Sequence, residues 1–269
     1  MDLYGCHFEY AGVSSRLYDL IIANVNTSRN TLISGGTQSV FVFNKKEKKK
    51  YHIDTSYTDS PLIFDMEVMS EKPFTQAELR KIEKWLFYQK DYQRLFIDML
   101  DDCEGETYEL IDGIEKRLYL NCRFVNPEKL EYNGGIVGFK FTVECDTYMA
   151  YQEPIEQYIE IDSSKLFELF IDTDNADYVY PKVTITTGNT GGNITIVNHT
   201  DSDSRLTSFV DLLPSTTFYM NGKTNYISGN YYEKFSDKNF IRLLDGVNNL
   251  SVVGDIKSIV FEWQNMRYL

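Results

Sequence analysis

YNGGIVGFKFTVECDTYMAY, residues 132–151, holds a hairpin and a domain exit in one short stretch. Asn133, Gly134 and Gly135 tolerate the positive φ that a tight hairpin turn demands. Beyond them Ile136, Gly138, Lys140, Thr142 and Glu144 alternate with Val137, Phe139, Phe141, Val143 and Cys145, the period of two expected of a strand with one buried face. That strand should stop at Asp146. Tyr148, Met149, Ala150 and Tyr151 then lead through Glu153-Pro154 into a second series of strands, which puts a domain boundary near residue 150.

Upstream of this stretch the pattern is mostly β. A strand is expected from residue 7 into a turn at 11–15, with a second at 17–24. Segments 39–43 and 51–57 are β-prone and flank NKKEKKK, residues 44–50, so they read as a long hairpin with a solvated tip. Its lysines either block edge pairing or meet an acidic neighbour. A strand at 61–69 precedes the clearest helix, 75–88. There Thr75 and Glu78 form a capping-box pair, and Leu79, Ile82, Trp85 and Leu86 share one face. Strands at 94–99, 107–110 and 116–124 complete domain 1–150 as antiparallel β with one packed helix.

Downstream, short strands are expected at 155–161, 166–171, 181–187, 193–198, 209–213, 217–221, 225–228, 240–244, 249–254 and 259–263. The glycine-rich loop 188–192 should join two of them as a hairpin. Many short strands at such spacing make domain 151–269 a β-sandwich, and the fold class mainly β.

The chain has 269 residues, enough for one large or two ordinary domains. With 42% hydrophobic and 25% charged residues it is globular. Its 20 tyrosines and 17 phenylalanines favour strands and partner-binding surfaces. A net charge of −13, spread over both halves, disfavours a reader of duplex DNA and suits a bore through which DNA slides without sticking; the same carboxylates also serve solubility. No secretory signal or apolar run near 18 residues is present, so the expectation is folding in a cytoplasm, with no membrane.

Catalytic signatures are missing. Cys6, Cys103, Cys122 and Cys145 are widely spaced and read as buried free thiols; His7, His52 and His199 stand at no metal-ligand spacing. Asp172, Asp174 and Asp177 resemble a calcium loop, but Val183 occupies the position of its bidentate Glu. The acidic run Asp101, Asp102, Glu104 and Glu106 offers carboxylates at a separation that sequence does not give. The expectation is no catalytic residue, no cofactor and no metal.

Six segments occur in a familiar order: FEYAGVSSRLYDL (8–20), KIEKWLF (81–87) followed by Tyr92 and Leu95, GFKFTVECDTYMAY (138–151), YVYPKVTI (178–185), ITIVNHT (194–200) and FIRLLDGVNNL (240–250). Together they resemble the distal tail (Dit) family of phages with long non-contractile tails, especially those infecting Gram-positive bacteria. Two departures stand out: Thr147-Tyr148 follows ECD where many relatives have Ser-Pro, and the long C-terminal insertions that carry carbohydrate-binding modules are absent.

The resemblance implies a non-enzymatic structural hub at the virion's tail tip, made in the host cytoplasm. Domain 1–150 would close a homohexameric ring around the DNA channel. A hairpin arm at about 39–57 would grip the next subunit, with Phe41, Phe43, Lys45, Lys46, Lys48, Lys49, Lys50 and Tyr51 as interface residues. Domain 151–269 would be galectin-like. The implied partners are the tail tube protein, the tail-associated lysin or fibre protein and, in some phages, receptor-binding proteins, with DNA only in passage. The alternative is a carbohydrate-binding adhesion module in which Trp263 would stack on a sugar, although its neighbours Phe261 and Tyr268 favour a core or interface Trp; a glycan hydrolase ranks last because no acid/base pair can be named.

Overall fold

A computed structural model describes residues 5–26, 36–44, 50–59, 61–99, 108–111, 114–161, 164–175, 177–201 and 205–267. The chain divides into two compact units, the first built on Met1–Tyr151 and the second on Gln152–Arg267.

The first unit is a seven-stranded antiparallel sheet in the order Val13–Ser14, Gly5–Tyr10, Gln93–Met99, Leu120–Tyr132, Gly135–Cys145, Ile63–Met69, Ile21–Asn26. Its central hairpin turns through Asn133 and Gly134 alone, at φ 48° and 79°, and Gly135 already pairs with Tyr132. Alternation holds beyond it: Val137, Phe139, Phe141, Val143 and Cys145 are buried. Gly138, on the opposite face, is buried because it lies against the next strand, where a Cβ would stand 2.1 Å from the Val68 carbonyl oxygen.

The helix Gln76–Phe87 covers the buried face. Thr75 Oγ1 accepts from the Glu78 amide while Glu78 accepts from the Thr75 amide, closing the capping box. Leu79, Ile82, Trp85 and Leu86 are buried, and Trp85 Nε1 donates to the Tyr10 carbonyl at 2.7 Å. Phe87 meets Phe139 and Phe141 edge-on, each at 5.5 Å.

Three local expectations change in this unit. The strand placed at 17–24 begins only at Ile21, because Ser14 caps a 3-10 turn, Ser15–Tyr18, and the buried Ser15 hydroxyl accepts from the Phe8 amide. The strand placed at 116–124 is two strands: Ile114–Arg117 pairs with Tyr108–Ile111, and Leu120–Tyr132 joins the main sheet. The latter also continues past Asn126-Pro127, which do not stop it. Asn126 takes φ 53° and the register slips between Val125 and Glu128, so the proline sits in a bulge where its missing N–H breaks no ladder bond.

The second unit is a sandwich. One sheet runs Ile155–Glu160, Ile256–Trp263, Lys182–Thr187, Thr217–Asn221, Tyr226–Ile227; the other runs Ser164–Ile171, Gly246–Val253, Gly192–Asn198, Arg205–Leu212. Val183, Ile185, Phe218, Phe261 and Trp263 from the first sheet share a core with Leu169, Ile196, Phe209 and Leu250 from the second.

Two expectations fail here as well. Loop 188–192 is not a hairpin, since Lys182–Thr187 and Gly192–Asn198 lie in different sheets. Asp255 fixes this crossover by accepting from the amides of Thr190 and Gly191 and from the Thr190 hydroxyl. These donors hold the Asp255 carboxyl below its usual range. Residues 240–244 form no strand. Apart from the Val179–Leu243 bridge, side chains meet carbonyls there: Arg205 Nε donates to Phe240 O at 3.1 Å and Asn198 Nδ2 to Arg242 O at 3.0 Å.

Candidate functional site

Among the described residues, two hairpins stand outside the larger sheets, and several apolar side chains are exposed. Gly36–Asn44 pairs antiparallel with Lys50–Asp59, and among the described residues this hairpin joins no other sheet. At about 3.3 Å per residue it is roughly 30 Å long. It is inserted between Ile21–Asn26 and Ile63–Met69, neighbours on the outer edge of the main sheet, with Asn26 opposite Asp65. The long loop therefore starts and ends at one sheet margin. In its register Phe41 stands opposite Asp54, Phe43 opposite Tyr51, and Lys50 opposite Asn44. Lys45, Lys46, Lys48 and Lys49 lie outside the described residues.

A second hairpin, Tyr108–Ile111 with Ile114–Arg117, is inserted between two other strands of the main sheet and forms a two-stranded sheet of its own. Sequence reasoning missed it as a separate element, although Asp112-Gly113, a dipeptide that signals a two-residue hairpin turn, stands between its two strands. Isolated two-stranded ribbons are marginal in water, so each hairpin gains from packing on something else.

Exposed apolar side chains gather on the second unit. On the outer face of the four-stranded sheet Leu166 is 76% exposed and Phe170 65%, joined by Leu206, Val247 and Val253. Register places Phe170 opposite Val247, and Leu206 opposite Val197, which itself stands opposite Ser251 beside Leu166. Clustered apolar side chains of this kind mark contact surfaces more often than scattered ones do. The outer face of the five-stranded sheet is more polar. Lys182 Nζ sits 2.7 Å from Glu262 and 5.6 Å from the Tyr219 ring centroid, and the carboxylate raises the lysine pKa. Tyr158 and Tyr226 are half exposed on the same sheet.

Among the described residues no group of three or more His, Cys, Asp or Glu could hold a metal. Asp172 and Asp174 of the rejected calcium loop face the buried Arg267, at 2.6 and 3.6 Å. His7 Nδ1 lies 3.1 Å from the Leu20 carbonyl, His199 Nε2 lies 2.7 Å from Ser251 Oγ, and the side chain of His52 lies outside the described residues. Cys122 and Cys145 are free, buried thiols. Trp263 is 5% exposed and packs in the sandwich core, where it offers no stacking platform for a sugar.

The sequence matches two family models, the phage tail protein N-terminal domain over residues 3–147 and the phage tail C-terminal domain over residues 149–262. No curated protein matches. Among solved structures the chain is similar to the Dit protein of phage SPP1, described as a paradigm of hub adsorption apparatus in phages infecting Gram-positive bacteria. The TM-score is 0.59 at 10% identity, over 96% of this chain and 98% of that one. A chain of the phage P2 baseplate in its activated conformation with Ca is similar at TM-score 0.51 and 9% identity, over 96% of this chain and 97% of that one. At such identities the likeness is one of fold.

Proposed function

Because this chain belongs to the family of phage tail proteins, we propose that it is the distal tail hub of its virion, a structural protein without catalytic activity. The observation that carries this reading is end-to-end similarity of fold, 96% of this chain on 98% of the SPP1 hub protein, with neither chain left a large unmatched domain. In this role six copies close a ring around the DNA channel. The ring joins the tail tube protein on one side to the tail-associated lysin or fibre protein on the other, with receptor-binding proteins docking at its periphery.

Ring closure by heterologous contacts needs an element that leaves one subunit and docks on the next. The hairpin Gly36–Asp59 supplies one, and the resemblance that assigns it to subunit contact extends to Phe41, Phe43, Tyr51 and the lysines at its tip. The galectin-like sandwich presents its apolar outer face to peripheral partners. Acidic excess keeps DNA moving by repulsion.

Negative-stain microscopy and native mass measurement of the pure protein test the ring directly. Six-fold rings with a central hole are expected. A protein that stays monomeric at all concentrations, alone and with its tail-tube neighbour, contradicts the hub.

A further inference from the structure

Cys122 and Cys145 are 23 residues apart in sequence and adjacent in space. Cys122 and Cys145 are register partners on the central strands of the first unit, and both are buried. The backbone defines the type of pair. The Cys145 amide donates away from Cys122, to the Leu62 carbonyl at 2.9 Å, and the next amide, Asp146, donates to the Asn121 carbonyl at 2.9 Å. Cys122 and Cys145 are therefore a non-hydrogen-bonded cross-strand pair, in which Cα atoms stand about 4.5 Å apart and side chains are closest. That spacing lies inside the range of about 4.4–6.8 Å that a disulfide spans.

We infer that Cys122 and Cys145 are a disulfide-forming site, held as thiols while the protein is made and oxidised to a staple between the two central strands once the virion reaches an oxidising medium. A cytoplasm keeps thiols reduced, whereas virion surfaces sit where disulfides persist. The reaction is exchange with a low-molecular-weight disulfide. One protein thiolate attacks a sulfur of the reagent and releases a small thiol, and the second protein thiol displaces the other small thiol. The balance is one protein disulfide formed, one small disulfide reduced and two small thiols released.

Burial holds the Cys122 thiol protonated and sets the pace. Cys145 is the last residue of its strand and Asp146 beside it is exposed, so exchange proceeds through brief opening of that strand end. The oxidised form links residues either side of the 132–135 turn and restrains the unfolded chain.

The test uses the reduced full-length protein, incubated with oxidised glutathione at mildly alkaline pH, quenched by alkylation under denaturing conditions and mapped by mass spectrometry without reduction. A linked Cys122–Cys145 peptide, two hydrogens lighter than the reduced pair, is expected. So is a melting temperature raised by about 5–10 °C and restored by dithiothreitol. Low, non-denaturing urea should speed the reaction. Recovery of both residues as alkylated thiols, a lasting glutathione adduct on either, or linkage to Cys6 or Cys103 would each overturn the inference. A Cys6→Ser/Cys103→Ser chain, which leaves both core thiols intact, must still lose two hydrogens. Only the oxidising exposure rests on the hub reading. Rings whose thiols stay free sink this inference alone, and a linked protein that never forms rings sinks the hub alone.

Discussion

Thr75 and Glu78 are the residues whose roles follow most directly from their neighbours in sequence. Thr75→Ala removes the cap on the covering helix and should lower stability by about 1 kcal/mol in urea unfolding. The amide and hydroxyl of Thr75 hold the Glu78 pKa below its unfolded value. Its contribution is thus complete above the unfolded pKa and is lost as pH falls through the lower folded one. The stability difference between wild type and Glu78→Gln, which cannot titrate, should be constant above about pH 5 and shrink below about pH 4. A difference independent of pH across that window would show that the carboxylate is not held by the cap. Gly138 is the opposite kind of residue. Its glycine looks like an incidental gap in an alternating strand, yet a Cβ there would stand 2.1 Å from the Val68 carbonyl. Gly138→Ala should destabilise the first unit by about 1–3 kcal/mol or more, read from its melting transition.

At the scale of elements, local rules place strands and helix well but fail where a side chain does the work of a ladder. Residues 240–244 carry the composition of a strand, and their backbone carbonyls are met by Arg205 and Asn198. The segment is tied down by Arg242, whose Nε and Nη2 donate to the Asp201 carboxylate and whose guanidinium lies 3.8 Å from the Tyr178 ring centroid. Asp201 has no exposed side-chain surface, so Asp201→Ala removes the buried carboxylate that a nearly buried guanidinium meets and should cost about 3 kcal/mol or more of sandwich stability. Retention of wild-type stability would mean that the other contacts of Arg242 suffice. Among the described residues the strands Gly36–Asn44 and Lys50–Asp59 join no other sheet, so their edges are left to serve a neighbour. Deleting residues 45–50 should weaken ring formation, read by microscopy and sedimentation, while leaving the monomer's melting temperature unchanged. Intact assembly after that deletion would remove the tip from the clasp.

The whole molecule is two units with separate hydrophobic cores. Residues 152–267, produced alone, should fold to a β-rich monomer with one cooperative melting transition; a non-cooperative melt would show that the sandwich depends on the first unit. Much of this organisation is legible in the sequence, because period-two alternation, the capping box and the Asn133-Gly134 turn are set by neighbours a few residues apart. The mainly β fold, the position of the helix and the tail-protein resemblance all rest on such local patterns. Only the tertiary structure decided that loop 188–192 crosses between sheets and that Asn126-Pro127 bulges without ending a strand. The same holds for Cys122 meeting Cys145 across a strand pair. Each of these depends on which strands become neighbours, a choice made by burying two cores at once, and no short window of sequence contains that information.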